Sequence, residues 1–227
     1  MDLSIIIPVY NEAATLPQCL ERVEAVDLDR EIILVDDGST DGTAEFLKKL
    51  PPHDRRTILF HERNRGKGAA IRTALPHVSG DYIVIQDGDL EYDPRDLKAL
   101  LQEAQQGHPV VYGSRILGGD PISYLSFYLG GRFLSWLTNR LYGSSITDEP
   151  TCYKLFRRDI LLGMNLKARG FNFCPEVTAL TLRRGYPIRE IAVSYLPRSK
   201  KEGKKISWRT GVGAIYTLLK YRLKRKV

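Results

Sequence analysis

Asp81-Tyr82-Ile83-Val84-Ile85-Gln86-Asp87-Gly88-Asp89-Leu90 reads as a strand that runs straight into an acidic turn. Its apolar part, Ile83-Val84-Ile85, is continuous rather than alternating, as expected of a strand covered on both faces in a parallel sheet. Ile5-Ile6-Ile7 has the same character. Working outward, β-branched runs alternate with segments of helical period from Leu3 to about Gly113. The pattern predicts strands over Leu3–Val9, Glu31–Val35, Thr57–His61, Asp81–Gln86 and Val110–Gly113, with helices over Ala14–Ala25, Thr43–Leu50, Gly68–His77 and Pro94–Gln106 between them. This is a doubly wound α/β, mostly parallel arrangement. Ligands of such sheets bind beyond the carboxyl ends of the strands.

Four successive strand ends carry polar or acidic groups: Pro8-Val9-Tyr10-Asn11-Glu12, Asp36-Asp37-Gly38-Ser39, Asn64-Arg65-Gly66-Lys67-Gly68 and Asp87-Gly88-Asp89-Leu90-Glu91. Turns and helix caps use the same residue types, so each stretch alone has a purely structural reading. Four on one edge of a sheet point to a site. In an extended segment, residues two apart face the same way, so Asp87 and Asp89, with Glu91 after them, are expected to look at one spot. Like charges held that close call for a cation, and oxygen ligands suit Mg²⁺ or Mn²⁺. The competing reading is an Asp-Gly turn with two solvated acids. Gly66-Lys67-Gly68 fits neither a P-loop nor a dinucleotide fingerprint. As a helix N-terminus beside a lysine, it suits a phosphate or a base edge.

The chain has 227 residues, 43% hydrophobic and 27% charged, which fits a folded domain and excludes a disordered or disulfide-stapled chain. Cys19, Cys152 and Cys174 are widely spaced, with no metal-ligand pattern. The net charge of +7 is uneven. Residues 196–227 hold eleven bases and one acid, +10, which leaves −3 on residues 1–195. A basic tail suits an anionic partner, or simply water. The N-terminus lacks the basic region of a secretory signal, and no apolar run is long enough to span a bilayer. The division expected is a catalytic domain over 1–207 and a basic amphipathic tail over 208–227.

Taken in order, the four strand-end motifs, the last continuing Glu91-Tyr92-Asp93-Pro94, resemble a family 2 glycosyltransferase of the GT-A fold. Gly113-Ser114-Arg115, Asp148-Glu149-Pro150-Thr151-Cys152-Tyr153-Lys154 and the basic loop near Arg198 are similar to its dolichol-phosphate mannose synthase and polyprenyl-phosphate sugar transferase branch. The resemblance implies that Pro8, Tyr10, Glu12, Asp36 or Asp37, Lys67 and Asp87 hold the nucleotide, and that Asp87 and Asp89 hold the metal on the diphosphate. Glu91 stands where the family usually has Gln, and would add a third carboxylate to that metal. It implies Arg115, Arg132, Ser135 and Arg198 for the acceptor phosphate. Asp89, Arg115 and Asp148 are the implied catalytic groups. The implied reaction moves a hexose, with inversion, from a GDP- or UDP-linked donor to a polyprenyl or dolichyl phosphate.

A lipid phosphate is already largely dianionic at neutral pH, so it needs cations rather than a base. An acceptor hydroxyl, the rival within enzymes, would instead require Asp148 or Glu149 as general base. A nucleic-acid-binding module, suggested by the basic tail alone, leaves the acidic strand ends unexplained, and acids repel nucleic acid. Ile122–Tyr142, rich in aromatics, and Ile206–Lys226, with Trp208, Val212, Ile215, Leu219 and Leu223 at helical spacing, read as elements lying on a membrane. Core packing or an oligomer face would use the same pattern. The location expected is the cytoplasmic face, held by surface binding or by a membrane-spanning partner.

Overall fold

A computed structural model describes residues 1–119, 124–198 and 208–224. Ile122, the tail residues Lys200, Lys201, Lys204, Lys205 and Ile206, and the terminal Arg225 and Lys226 lie outside the described residues. In chain order the elements are β1 (Leu3–Val9), α1 (Leu16–Glu24), β2 (Arg30–Asp36), α2 (Thr43–Lys49), β3 (Arg56–Phe60), α3 (Lys67–Ala74) with a 3-10 turn at Leu75–His77, β4 (Tyr82–Ile85), α4 (Asp96–Gln105), β5 (Val110–Ser114), α5 (Arg115–Gly118), α6 (Leu125–Tyr142), β6 (Lys154–Arg157), α7 (Arg158–Leu162), α8 (Phe173–Arg183), β7 (Arg189–Ala192) and α9 (Trp208–Leu223).

One sheet runs in the order β3-β2-β1-β4-β6-β5-β7. β1 pairs in parallel with β2 and β4, and β2 with β3. β6 lies antiparallel between β4 and β5, and β7 is parallel to β5. The continuous apolar runs behave as expected: Ile5–Ile7, Ile33–Val35 and Ile83–Ile85 are all enclosed. Helices cover both faces because their apolar residues recur on one side. In α1 these are Leu16, Cys19, Leu20 and Val23, with Pro17 opening the first turn.

The five expected strands and four expected helices are present, with ends shifted by a residue or two. β6, β7, α7 and α8 were not foreseen. The predicted tail, 208–227, is a helix over its described part, but it does not stand apart. α9 buries Ala214, Leu218 and Tyr221 in the same core as the sheet. The Tyr142 hydroxyl in α6 donates to the Leu218 carbonyl at 2.6 Å, and the Arg183 guanidinium in α8 donates to the Tyr221 carbonyl. Of the predicted apolar row, Val212, Leu219 and Leu223 are exposed on the opposite side, while Ile215 is half-buried against the core.

Candidate active site

The carboxyl ends of β1 and β2 are tied together by hydrogen bonds between their loops. Asn11 adopts a left-handed backbone (φ 52°), which asparagine tolerates better than most residues. Its N–H donates to Ser39 Oγ at 2.9 Å, and its Oδ1 accepts from Thr40 N at 2.8 Å. Asp37 serves as a hub. It accepts from the Arg65 and Gly66 N–H groups at 2.9 and 2.7 Å and lies 2.6 Å from His61 Nδ1. This network fixes the loop ahead of α3. Gly66, at φ 95°, lets that loop pass under residues 169–170, since a Cβ there would sit 2.5 Å from the Arg169 carbonyl oxygen. Asp36 is equally buried, but its Oδ1 has no hydrogen-bond partner among the described residues. Of the two alternatives, Asp37 lines the pocket and Asp36 does not.

The pocket has a volume of about 460 Å³. Nine of the predicted residues line it: Pro8, Tyr10, Glu12, Asp37, Lys67, Asp87, Asp89, Glu91 and Arg198. Gly170 and Phe171, from the loop before α8, complete it and were missed by sequence reasoning. The small residues around Lys67 signal a close backbone neighbour, yet nothing local tells which segment supplies it.

Asp87 and Asp89 both line the pocket, and each is bonded to a different cation. The Lys67 ammonium pairs with Asp87 Oδ1 and reaches Cys152 Sγ at 3.3 Å. Asp89 Oδ2 instead accepts from the Arg198 guanidinium at 2.7 Å, and its Oδ1 from the Glu91 N–H at 3.1 Å. Burial pushes the Asp87 carboxyl up, but the adjacent Lys67 ammonium more than offsets it, and the net direction is down. Asp89 has no such advantage. Burial first, then the charges of Asp87 and Glu91, raise it to about 7 against the pull of Arg198. Glu91 departs from its expected role. Its carboxylate accepts from the Tyr195 hydroxyl at 3.1 Å and the Arg198 N–H at 2.7 Å, so it latches the chain after β7. Among the described residues no three acid, His or Cys side chains gather as a cation cage. Each carboxylate is offset by its own protein donor: Lys67 for Asp87, Arg198 for Asp89 and Tyr195 for Glu91.

The acceptor candidates are arranged differently. Arg115 opens α5 and grips Asp148 through Nε and a terminal nitrogen, both at 2.7 Å, while its N–H donates to the same carboxylate at 3.0 Å. The guanidinium stacks 5.0 Å from the Tyr195 ring centroid. Burial would raise Asp148, but Arg115 outweighs it and holds the carboxyl below its ordinary range. Glu149 is fully enclosed, and burial pushes its carboxyl up; its two carboxylate oxygens have no hydrogen-bond partner among the described residues. Neither acid is an available base here.

Ser135 and Arg198 are held by partners other than the Arg115–Asp148 pair. The Ser135 hydroxyl, 3% exposed, donates to the Gly131 carbonyl within α6 and accepts from the Glu149 N–H, so it is a packing bond. Arg198 lies with the donor-side acids, bonding Glu12 at 3.0 Å as well as Asp89. Arg132 is exposed, with a long contact of 3.5 Å to the Thr147 carbonyl.

Residues 4–163 match the family model described as Glycosyl transferase family 2. Undecaprenyl-phosphate 4-deoxy-4-formamido-L-arabinose transferase of Edwardsiella ictaluri is 30% identical over 208 residues, which is 89% of this chain and 62% of that relative. The protein of the same name from Pseudomonas aeruginosa is 40% identical over 115 residues, 48% of this chain and 34% of its own. The chain therefore spans less than two thirds of the length of these curated relatives. Among solved structures, glucosyl-3-phosphoglycerate synthase from Mycobacterium tuberculosis, in complex with Mn²⁺, UDP-glucose and phosphoglyceric acid, aligns with a TM-score of 0.74 at 21% identity, over 97% of this chain and 79% of that one.

Proposed function

The chain belongs to glycosyl transferase family 2, and from that premise we propose that it moves one hexose, with inversion, from a GDP- or UDP-linked sugar to a polyprenyl phosphate. The observation that carries this reading is the mixed charge of the pocket beyond β1–β4, where Asp87 and Asp89 stand beside Lys67 and Arg198. Carboxylates suit a divalent ion and cations suit phosphates, and a metal-bound diphosphate asks for both. The relatives named for undecaprenyl-phosphate transfer support the acceptor. The neighbour with Mn²⁺ and UDP-glucose supports the donor side on the same fold.

The donor set fits Mg²⁺ or Mn²⁺. Such ions are held by one or two carboxylates plus substrate phosphates, and Asp89 already holds a cationic group on its pocket-facing oxygen. When bound there, the ion supplies neutralisation of the departing diphosphate. The remaining work falls to the protein. Tyr10, Glu12 and Asp37 bound the nucleoside end, and Lys67 lies beside the phosphates. Arg115, held flat by Asp148 and Tyr195, receives the acceptor phosphate, with Arg132 exposed nearby on α6. A phosphate oxygen attacks the anomeric carbon as the bond to the diphosphate breaks, so no protein nucleophile is involved.

A phosphate acceptor needs no proton removed, and this favours it over a saccharide hydroxyl. Asp148 is committed to Arg115, and Glu149 is sealed away, which leaves the hydroxyl reading without a base. The acidic pocket likewise argues against a nucleic-acid partner.

An amphiphilic acceptor needs the enzyme at a lipid surface. No helix among the described residues is long and apolar enough to cross a membrane. α6 exposes Leu125, Leu129, Phe133 and Trp136, and α9 exposes Val212, Tyr216, Leu219 and Leu223. Arg132, Arg140, Lys220 and Lys224 flank these rows. Adjacent apolar stripes edged with bases suit the anionic cytoplasmic leaflet, with or without a membrane-spanning partner.

The test is transfer from a panel of labelled UDP- and GDP-sugars, with Mn²⁺, to detergent-dispersed undecaprenyl phosphate. A lipid-linked, chelator-sensitive product is expected. Label passing to soluble saccharide but not to the lipid would overturn the acceptor. Failure to bind any nucleoside diphosphate with Mn²⁺ would overturn the donor.

A further inference from the structure

Arg198 is bonded where the transferase reading needs a metal. One terminal nitrogen lies 2.7 Å from Asp89 Oδ2 and the other 3.0 Å from Glu12 Oε2. Its Nε has no hydrogen-bond partner among the described residues and lies 3.9 Å from Glu91 Oε1, which also accepts the Arg198 backbone N–H at 2.7 Å. Asp87 is bonded to Lys67 instead, and feels the Arg198 charge only at a distance. The guanidinium is thus the counter-charge for Asp89, Glu12 and Glu91 together.

We propose that Arg198 is a built-in competitor of the divalent ion, occupying Asp89 until metal and diphosphate displace it. The inference rests on the transferase reading above. A metal–oxygen bond of about 2.0–2.2 Å to Asp89 Oδ2 leaves no room for a guanidinium nitrogen hydrogen-bonded to the same oxygen, and the two positive charges repel. Only the side chain has to move, because Glu91 keeps its backbone grip. Once displaced, the guanidinium remains tethered at the pocket beside Glu12, with the diphosphate oxygens as a new charge-assisted partner in place of Asp89. The metal therefore converts Arg198 from a carboxylate ligand into a phosphate ligand. This reconciles its position among the donor acids with the phosphate-binding role expected of it.

The prediction concerns metal affinity without nucleotide. Charge-assisted hydrogen bonds of this kind are worth enough that losing the competitor should tighten Mn²⁺ binding by about tenfold or more. Mn²⁺ binding is read from loss of the free-ion EPR signal in wild type, Arg198→Gln and Arg198→Ala, each checked for an unchanged far-UV spectrum. Both variants should bind Mn²⁺ more tightly than wild type, and an added Asp89→Asn change should cancel the gain. Equal or weaker binding in both variants overturns the inference, as does a gain that survives Asp89→Asn. A parallel titration of wild type with UDP or GDP present separates the two levels. Binding there without a gain in the variants overturns only the competitor role, and no binding there overturns the metal-dependent reading along with it.

Discussion

The two halves of the sheet build their parts of the site by different means. In the half formed by β1, β2, β3 and β4 the strands run parallel, and each brings its pocket residues in within a few positions of its own end. In the half beyond β4, Arg115 and Asp148 meet across 33 residues of chain, and Tyr195 closes on them from beyond β7. A site made of strand ends inherits its layout from the sheet. A site made by return of a distant loop depends on that loop's packing, so damage should look like lost chemistry in the first half and lost architecture in the second.

The sharpest test of that contrast is Asp89→Asn, which should reduce transfer by about a thousandfold, the scale of losing a group that acts on transition-state charge, with little change in melting temperature. A large loss of stability would break the contrast. Asp148→Asn should instead lower stability by about 2–3 kcal/mol, the modest end for breaking a buried pair because Arg115 is 24% exposed. The sign with pH follows from the depressed Asp148 carboxyl. Its contribution is present above the unfolded value of about 3.9 and is lost as pH falls through the lower folded value. The gap between wild type and Asp148→Asn in thermal melts should therefore be full at neutral pH and shrink at strongly acid pH; a constant gap would remove Arg115–Asp148 as its source. The smallest effect is expected at the outer surface. Phe133→Ser with Trp136→Ser should weaken sedimentation with anionic vesicles by roughly tenfold while leaving UDP or GDP binding unchanged. Unchanged sedimentation would give that face another purpose.

Legibility in the sequence divides along the same line. Strands β1 to β5 are readable because their apolar runs are uninterrupted. β6 is not, because Lys154 interrupts Tyr153-Lys154-Leu155-Phe156 with a charge. That lysine is wholly buried, its ammonium 3.8 Å from the Tyr112 ring centroid and bonded to the Glu149 carbonyl at 2.6 Å. No local pattern announces a buried cation of this kind. Which residues face the pocket could be inferred from strand ends, and Lys67, Asp87 and Asp89 were found that way. Their partners could not, since Glu91 reaches Tyr195 across 104 positions and Arg198 reaches Glu12 across 186. The bond from the Glu149 N–H to Ser135 was not legible either, since a serine on an aromatic-rich helix looks the same whether it faces solvent or binds the next loop.

The antiparallel β6 has one more implication. The chain quits the sheet after Ser114 and re-enters at Lys154 as the immediate neighbour of the strand it left, with Gly113 N donating to the Tyr153 carbonyl at 2.8 Å and Thr151 Oγ1 to the Gly113 carbonyl at 2.6 Å. Departure and return are thus riveted together in the middle of the sheet, like the two ends of a handle. The segment between them, α6 included, carries no strand of the sheet, so a change in its length need not disturb the pairing of β1 to β4.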